Sequence, residues 1–286
     1  RAYRRPVEGK EVARLLALHE KAVKAGATAD DALKPVLKAV LASPHFLLRV
    51  ERDKAKEEGA YRVGDHELAV RLSYFLWGTM PDAELFALAD KGELGNAGVY
   101  DAQVKRMLAD PKARALTDSF AAQWLQLGKL SQARPSTEFF PTFTPKLRQA
   151  MHDEVTTFFD HLRTDDRPVT DLLDADYTYA NADLAKHYGL AGVSGGQFRK
   201  VALSDPARGG LLGMAAVLSL TSHTSRTSPT LRGKYVLDVV LGTPPPPPPP
   251  NVGQAEDAKG AKEAKTFREK LALHAGQPSC AGCHAK

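Results

Sequence analysis

An all-α fold is what this sequence predicts, and three observations predict it. Apolar residues recur at three- and four-residue spacing along most of the chain. The punctuation between these runs is that of helix caps and stops, with Ser, Thr and Asp at the starts and Gly or Pro at the ends. Only one short run, residues 198 to 203, has the composition of a strand. The expected architecture is a set of multi-helix, bundle-like domains, a polyproline spacer and a distinct C-terminal segment.

Each element follows from its residues. Residues 8 to 25 carry Val12, Leu15, Leu16, His19 and Val23 at helical spacing, and Gly26 is the stop. Asp30 or Asp31 is expected to cap the next helix, which bears Leu33, Val36, Leu37, Val40 and Leu41. Pro35 is placed in its first turn, where a missing N–H does no harm, and Ser43-Pro44 ends it. The charged stretch ERDKAKEEGAYRVG is a boundary. Asp65 is expected to cap a helix with Leu68, Leu72, Phe75 and Leu76 on one face. A turn and a Pro-initiated helix follow, with Asp82 and Glu84 at the positive end of the helix dipole. Two further helices cover about 98 to 109 and 112 to 127, the second with Leu116, Phe120, Trp124 and Leu127.

After a Pro-, Ser- and Thr-rich loop at 131 to 145, Thr144 caps a long helix, 145 to 163. It bears Leu147, Met151, Val155, Phe158, Phe159 and Leu162. Residues 168 to 190 read as short helical turns, and Gly-rich turn chemistry precedes helices near 208 to 220 and 229 to 241. Residues 244 to 250 are seven consecutive prolines. Such a run is excluded from helix and central strand and forms polyproline II, roughly 20 Å long at about 3.1 Å per residue. A charged, Ala-rich helix over 255 to 275 closes the pattern.

Composition excludes several classes. The chain has 286 residues, 43% hydrophobic and 26% charged, ordinary values for two or three globular domains. The net charge of +5 is spread without a dense Lys/Arg block, which favours a solvated basic surface over nucleic-acid binding. The longest apolar run, around Leu211 to Leu220, falls short of a membrane span and includes Gly213 and Ser219. The start at Arg1-Ala2-Tyr3 suggests a fragment or a processed form of a longer protein.

The strongest chemical signal is Cys280-Ala281-Gly282-Cys283-His284, which holds both cysteines of the chain. Cys-x-x-Cys-His is the spacing of c-type haem attachment. One tight helical turn lets two thiols reach the two vinyl groups on one porphyrin edge and sets the adjacent imidazole beneath the iron. His284 is then the proximal metal ligand, Cys280 and Cys283 carry the thioethers, and the cofactor is haem c with its iron. Rival readings are a thioredoxin-like dithiol, a zinc site and a strained disulfide. The first expects a strand before the pair, and the second needs two further ligands. A second axial ligand within the chain would come from Met80, Met107, Met151, Met214 or another histidine, though these methionines sit in helical apolar patterns and are core residues by default.

Several stretches in this order, RLSYFLWGTMPDAELFALADKGEL, FAAQWLQL, FFDHLRTDDRPVTDLLDADYTYANADLAKHYGL, RTSPTLRGKYVLDVVLGTPPPPPPPNV and CAGCHAK, resemble the large modular cytochrome-c-type proteins of planctomycetes. The resemblance covers essentially the whole chain. It implies a small helical module at 1–52 and a central helical domain of unknown function at 60–190. It implies a planctomycete cytochrome C-like domain at 205–286, with its polyproline spacer at 244–250 and haem motif at 280–284. It also implies a further domain beyond the haem motif and an exported protein, periplasmic or at the cell surface, without assigning a reaction. The stretch SHTSRTSPTLRGK corresponds to the family's Arg-Thr-Ser-Pro signature. Its structural reading is a helix start, capped by Thr227 or Ser228 with Pro229 first. Its functional reading pairs Arg226 or Arg232 with haem propionates.

Other constellations are weaker. Asp171, Asp174, Asp176 and Asn181 are oxygen donors without the glycine and closing glutamate of an EF-hand. His152, Asp153, Glu154 and His161 lie on one helix without His-Glu-x-x-His spacing, and a solvated or core-edge face is expected. The sequence therefore points to electron transfer through covalently attached haem, with an unidentified redox partner protein. The alternatives are a helical scaffold whose haem segment serves a further domain, and a haem oxidoreductase or peroxidase.

Overall fold

Small polar side chains set the helix starts. The side-chain oxygens of Thr28, Ser43, Asp82, Thr144, Asn181 and Ser228 accept backbone N–H groups of the first turns that follow them. Each satisfies a donor the helix itself leaves orphaned. The computed structural model describes residues 1–51, 59–205, 208–247, 259–260, 262–278 and 281. The chain divides into two units, Arg1–Arg232 and Gly233–Lys286. It is of the all-α class, with two short strands among the described residues.

The first unit opens with α1 (Gly9–Lys24), α2 (Ala29–Leu41) and the single turn α3 (Pro44–Leu47). Thr28 caps α2, whereas Asp30 and Asp31 lie in its first turn. Pro35 is inside α2, not in its first turn. Its ring nitrogen has no hydrogen to give, so the Asp31 carbonyl loses its helical donor.

Next come α4 (Asp65–Trp77), α5 (Ala83–Lys91) and α6 (Ala97–Ala109), which share one core. Gly64, not Asp65, precedes α4, and the Asp65 carboxylate instead accepts the Gly95 N–H at 3.3 Å. The inward face of α4 is Ala69, Leu72, Leu76 and Trp77, while Phe75 is 60% exposed. A helical step of about 100° puts Phe75 off the stripe that Leu72 and Leu76 define. Phe75 meets Phe120 edge-on at 6.3 Å, and Phe120 stacks on Trp124 at 5.9 Å. The Trp77 indole N–H donates to the Met107 carbonyl at 2.9 Å, which satisfies a buried donor.

The predicted helix 112–127 is broken into a 3-10 turn (Pro111–Ala113), a π-helical segment (Leu116–Ala121), the short α7 (Ala122–Trp124) and a 3-10 turn (Leu127–Gln132). Then follow α8 (Pro145–Thr164), α9 (Asp171–Asp174), β1 (Tyr177–Ala180), α10 (Ala182–Tyr188) and β2 (Arg199–Ala202). β1 and β2 pair antiparallel from Tyr177 opposite Ala202 to Ala180 opposite Arg199. The short helices of the 168–190 region are therefore interrupted by a strand, formed where Tyr177, Thr178 and Tyr179 favour extended backbone. A 3-10 turn (Leu211–Gly213), α11 (Ala215–Leu220) and α12 (Pro229–Tyr235) come next.

The larger core centres on α8. Leu147, Met151, Val155 and Phe158 meet Leu125, Leu127, Tyr177, Leu184, Leu211, Met214 and Ala216. Burying each large apolar side chain stabilises by about 1.5–3 kcal/mol relative to leaving it exposed. Gly210 allows the 211–220 segment to approach closely. Its φ is +61°, and a Cβ there would lie 2.5 Å from the backbone carbonyl of Leu173. Only glycine meets both conditions without strain.

In the second unit, α12 runs on into a π-helical segment (Val236–Val240). Pro244 to Pro247 are exposed and outside any regular element; the remaining prolines, 248–250, lie outside the described residues. Of the predicted helix 255–275, α13 (Phe267–Ala275) is observed, started by a reciprocal Thr266–Glu269 capping box; residues 255–258 and 261 lie outside the described residues. No helix among the described residues is long and apolar enough to cross a membrane.

Candidate haem-attachment site

α13 precedes the motif in the chain, and the Ala281 N–H donates to the Gln277 carbonyl at 2.8 Å. Cys280, Cys283 and His284 themselves lie outside the described residues. The donor set is two thiols and an imidazole in the order Cys280, Cys283, His284. Two thiols and an adjacent imidazole are the donor types that a covalently held haem would need.

Arg226 lies on an exposed turn closed by a bridge between Ser222 and Thr227 and by the His223 N–H to the Arg226 carbonyl at 2.8 Å. The Ser136 N–H ties this turn down by donating to the Thr224 carbonyl at 2.7 Å. Arg232 is half-buried on α12, and its Nε is buried without a hydrogen-bond partner among the described residues. Ser228 caps α12 by accepting the Leu231 N–H, so the helix-start reading of this stretch holds and Thr227 is not the cap.

Among the candidate distal ligands, Met107, Met151 and Met214 are buried at 0%, 1% and 2% exposure inside the two apolar cores. Packing explains them fully. Met80 is half-buried. The Asp171 carboxylate is buried and accepts from the Tyr177 hydroxyl at 2.8 Å and from Arg167 at 2.9 Å. These bonds hold it below the usual carboxylate range against the opposing pull of burial, and the group is structural. No cluster of three metal-ligating side chains occurs among the described residues.

The helix face carrying Glu154 and His161 differs from expectation. Glu154 is 1% exposed, deep in the larger core. The Thr178 hydroxyl donates to its Oε1 at 2.6 Å and the Tyr188 hydroxyl to its Oε2 at 2.7 Å. The Ala215 N–H donates to the Tyr188 oxygen at 2.6 Å. Burial pushes the Glu154 carboxyl up to about 7, while these hydrogen bonds and the Arg208 charge pull the other way. The signal was present in the sequence: Leu147, Met151, Glu154 and Phe158 repeat at four, three and four residues, so Glu154 stands in the buried stripe. His161 packs between Tyr177 and Tyr179, bonds Asp165 through Nδ1 at 3.1 Å, and buries an Nε2 without a partner among the described residues.

A cleft of about 630 Å³ lies between residues 3–6, 45–51 and 64–71. Its cations are occupied internally: Arg4 donates to the carbonyls of His45, Phe46 and Leu48, Arg5 pairs with Glu11, and Arg71 pairs with Glu51. The Arg5 hydrogen bond holds Glu11 down to about 2. None of the predicted site residues lines this cleft.

Three family models match the chain in sequence order. PSD5, described as a protein of unknown function (DUF1595), matches residues 1–51. PSD4, a protein of unknown function (DUF1592), matches 63–190, and PSCyt3, a protein of unknown function (DUF1588), matches 208–286. The chain belongs to the modular planctomycete cytochrome-c-type proteins. No curated protein and no solved structure matches it. In this planctomycete cytochrome-c-type chain, the cytochrome-named match contains the Cys-x-x-Cys-His motif, Arg226 and Arg232, and the other two matches contain none of them.

Proposed function

We propose that the chain carries haem c through Cys280 and Cys283, with His284 as the axial ligand, and serves in electron transfer with a redox partner protein. The observation that carries this reading is the Cys-x-x-Cys-His motif inside the segment matched by the cytochrome-named family model. Attachment adds each thiol S–H across a vinyl group. A sulfur–carbon bond forms, the thiol proton goes to the other vinyl carbon, and no oxidant is needed. Bound there, the iron supplies one-electron exchange between its ferric and ferrous states. The chain's own residues would hold the group: the Cys280 and Cys283 sulfurs would fasten it and the His284 imidazole would ligate its iron. In the same reading Arg226 and Arg232 offer guanidinium groups suited to propionates.

The same proposal divides the chain into a helical module at 1–52, a central domain at 60–190 and a cytochrome-type domain at 205–286. It places the protein in the periplasm or at the cell surface, where c-type haem is attached. The test is to mature the full chain in a host with periplasmic haem-attachment machinery. A covalent mass increase of one haem and a Soret band are expected, and both are lost in Cys280→Ser/Cys283→Ser. A colourless wild-type chain with both thiols free to alkylate overturns the proposal. Low-spin six-coordinate spectra support electron carriage, whereas high-spin spectra with peroxide turnover replace it with a peroxidase.

A further inference from the structure

The buried polar chain at Glu154 has a direction. The Ala215 N–H donates to the Tyr188 oxygen, so the Tyr188 hydrogen is directed to Glu154 Oε2. Thr178 contacts the other carboxyl oxygen, and its hydroxyl donates to a carboxylate or accepts from a neutral acid. Both protonation states are therefore hydrogen-bonded, and they differ by one buried charge. Four elements meet at this carboxyl: α8, β1, α10 and the N-terminus of α11. The last belongs to the segment matched by the cytochrome-type model, and the first three to the central match.

We propose that Glu154 is a proton-operated latch: neutral, it holds the Leu211–Leu220 segment on the central core, and ionised, it loosens that segment. Ionisation puts a buried charge among Met151, Val155, Phe158, Leu184 and Met214. The Arg208 charge acts on Glu154, and its guanidinium stands 4.9 Å over the Tyr188 ring. Other titratable groups stand beside it. Burial drives the Tyr188 hydroxyl far up, and burial with the Arg208 charge drives His187 down. From β1, Tyr177 and Tyr179 face His161 rather than Glu154. From the π-helical segment Thr117 bonds Asp160, and Lys129 of the adjoining 3-10 turn bonds Gln126. α6 meets α8 through the Leu108 carbonyl and Arg163, and α11 presents its Ala215 N–H.

The sign follows from proton binding. The folded chain holds a proton on Glu154 that the unfolded chain releases, so the latch is fully set below the ordinary carboxyl value of 4.5 and lost as pH rises through about 7. Hydrogen exchange on the full chain, from about pH 5 to about pH 8 and corrected for intrinsic rates, reads this directly. Opening of α11 is expected to increase with pH in that window, at most about tenfold per unit for one proton. In Glu154→Gln, whose amide gives Thr178 a donor and Tyr188 an acceptor as the neutral acid does, the profile is expected to be flat. Equal slopes in the two chains overturn the proposal. A second readout needs no variant: wild-type infrared spectra are expected to keep a neutral-carboxyl carbonyl band at about pH 6 and lose it by about pH 9. Absence of that band at the lower pH overturns the proposal as well.

Discussion

The α1–α2 hairpin and α8 carry the same helical apolar pattern and meet different fates. On α2, Leu33, Leu37 and Leu41 form a stripe at four-residue spacing, yet they are 49%, 58% and 53% exposed. On α8, Leu147, Met151 and Phe158 follow a similar spacing and are 5%, 1% and 0% exposed. The difference lies in what stands opposite. α8 is enclosed by β1, α10, α11 and the turns around residues 116–132, whereas α1 and α2 pack chiefly on each other. Periodicity therefore identifies which face of a helix is apolar, and the neighbouring elements decide whether that face leaves water. An apolar stripe is a capacity for burial; the energy comes only when a second surface removes water from it.

Variants sharpen this contrast. Phe158→Ala is expected to give the largest loss, about 3–5 kcal/mol by denaturant unfolding, because it leaves a cavity in the tightest part of the core. A loss under 1 kcal/mol would show that the core collapses around it. Next is the pH dependence of global stability. Glu154 alone is expected to lower it by on the order of 3 kcal/mol between about pH 4.5 and 7, a trend that Glu154→Gln removes. Gly210→Ala is expected to cost about 2 kcal/mol from its left-handed φ and its contact with the Leu173 backbone. Thr144→Ala, which removes the α8 cap, is expected to lose about 1 kcal/mol. Leu37→Ala closes the series at no more than about 0.5 kcal/mol. A cost there matching that of a core leucine would mean the hairpin face is covered in solution, and the contrast would fail.

Much of the fold is legible in the residues. Thr144-Pro145 followed by Leu147, Met151, Val155 and Phe158 specifies α8 from its cap to its inward face. Ser228-Pro229 specifies the start of α12 by the same chemistry. The failures share a cause, which is that tertiary partners override local preference. Glu154 reads as solvent-facing because carboxylates usually are, and its burial depends on Thr178 and Tyr188, 24 and 34 residues away. β1 is only four residues long, too short for alternation to register, and it exists because β2 pairs with it from beyond the 18 residues 181–198. Pro35 stands within α2 where the residue whose carbonyl it leaves without a helical donor, Asp31, is exposed to water. The Cys-x-x-Cys-His motif needs no fold to be noticed, since it lies in five adjacent residues.

The place where Leu211, Met214, Ala215 and Ala216 are seated has a practical side. These residues belong to the cytochrome-type match, which starts at 208, but they complete the core built by the match that ends at 190. Excising either piece at the seam between the two matches would leave Phe158 and Met151 facing water on one fragment and a bare apolar ribbon on the other. Anyone dissecting this protein piece by piece should let the first fragment run beyond Leu220, because the inheritance boundary and the folding boundary fall at different residues.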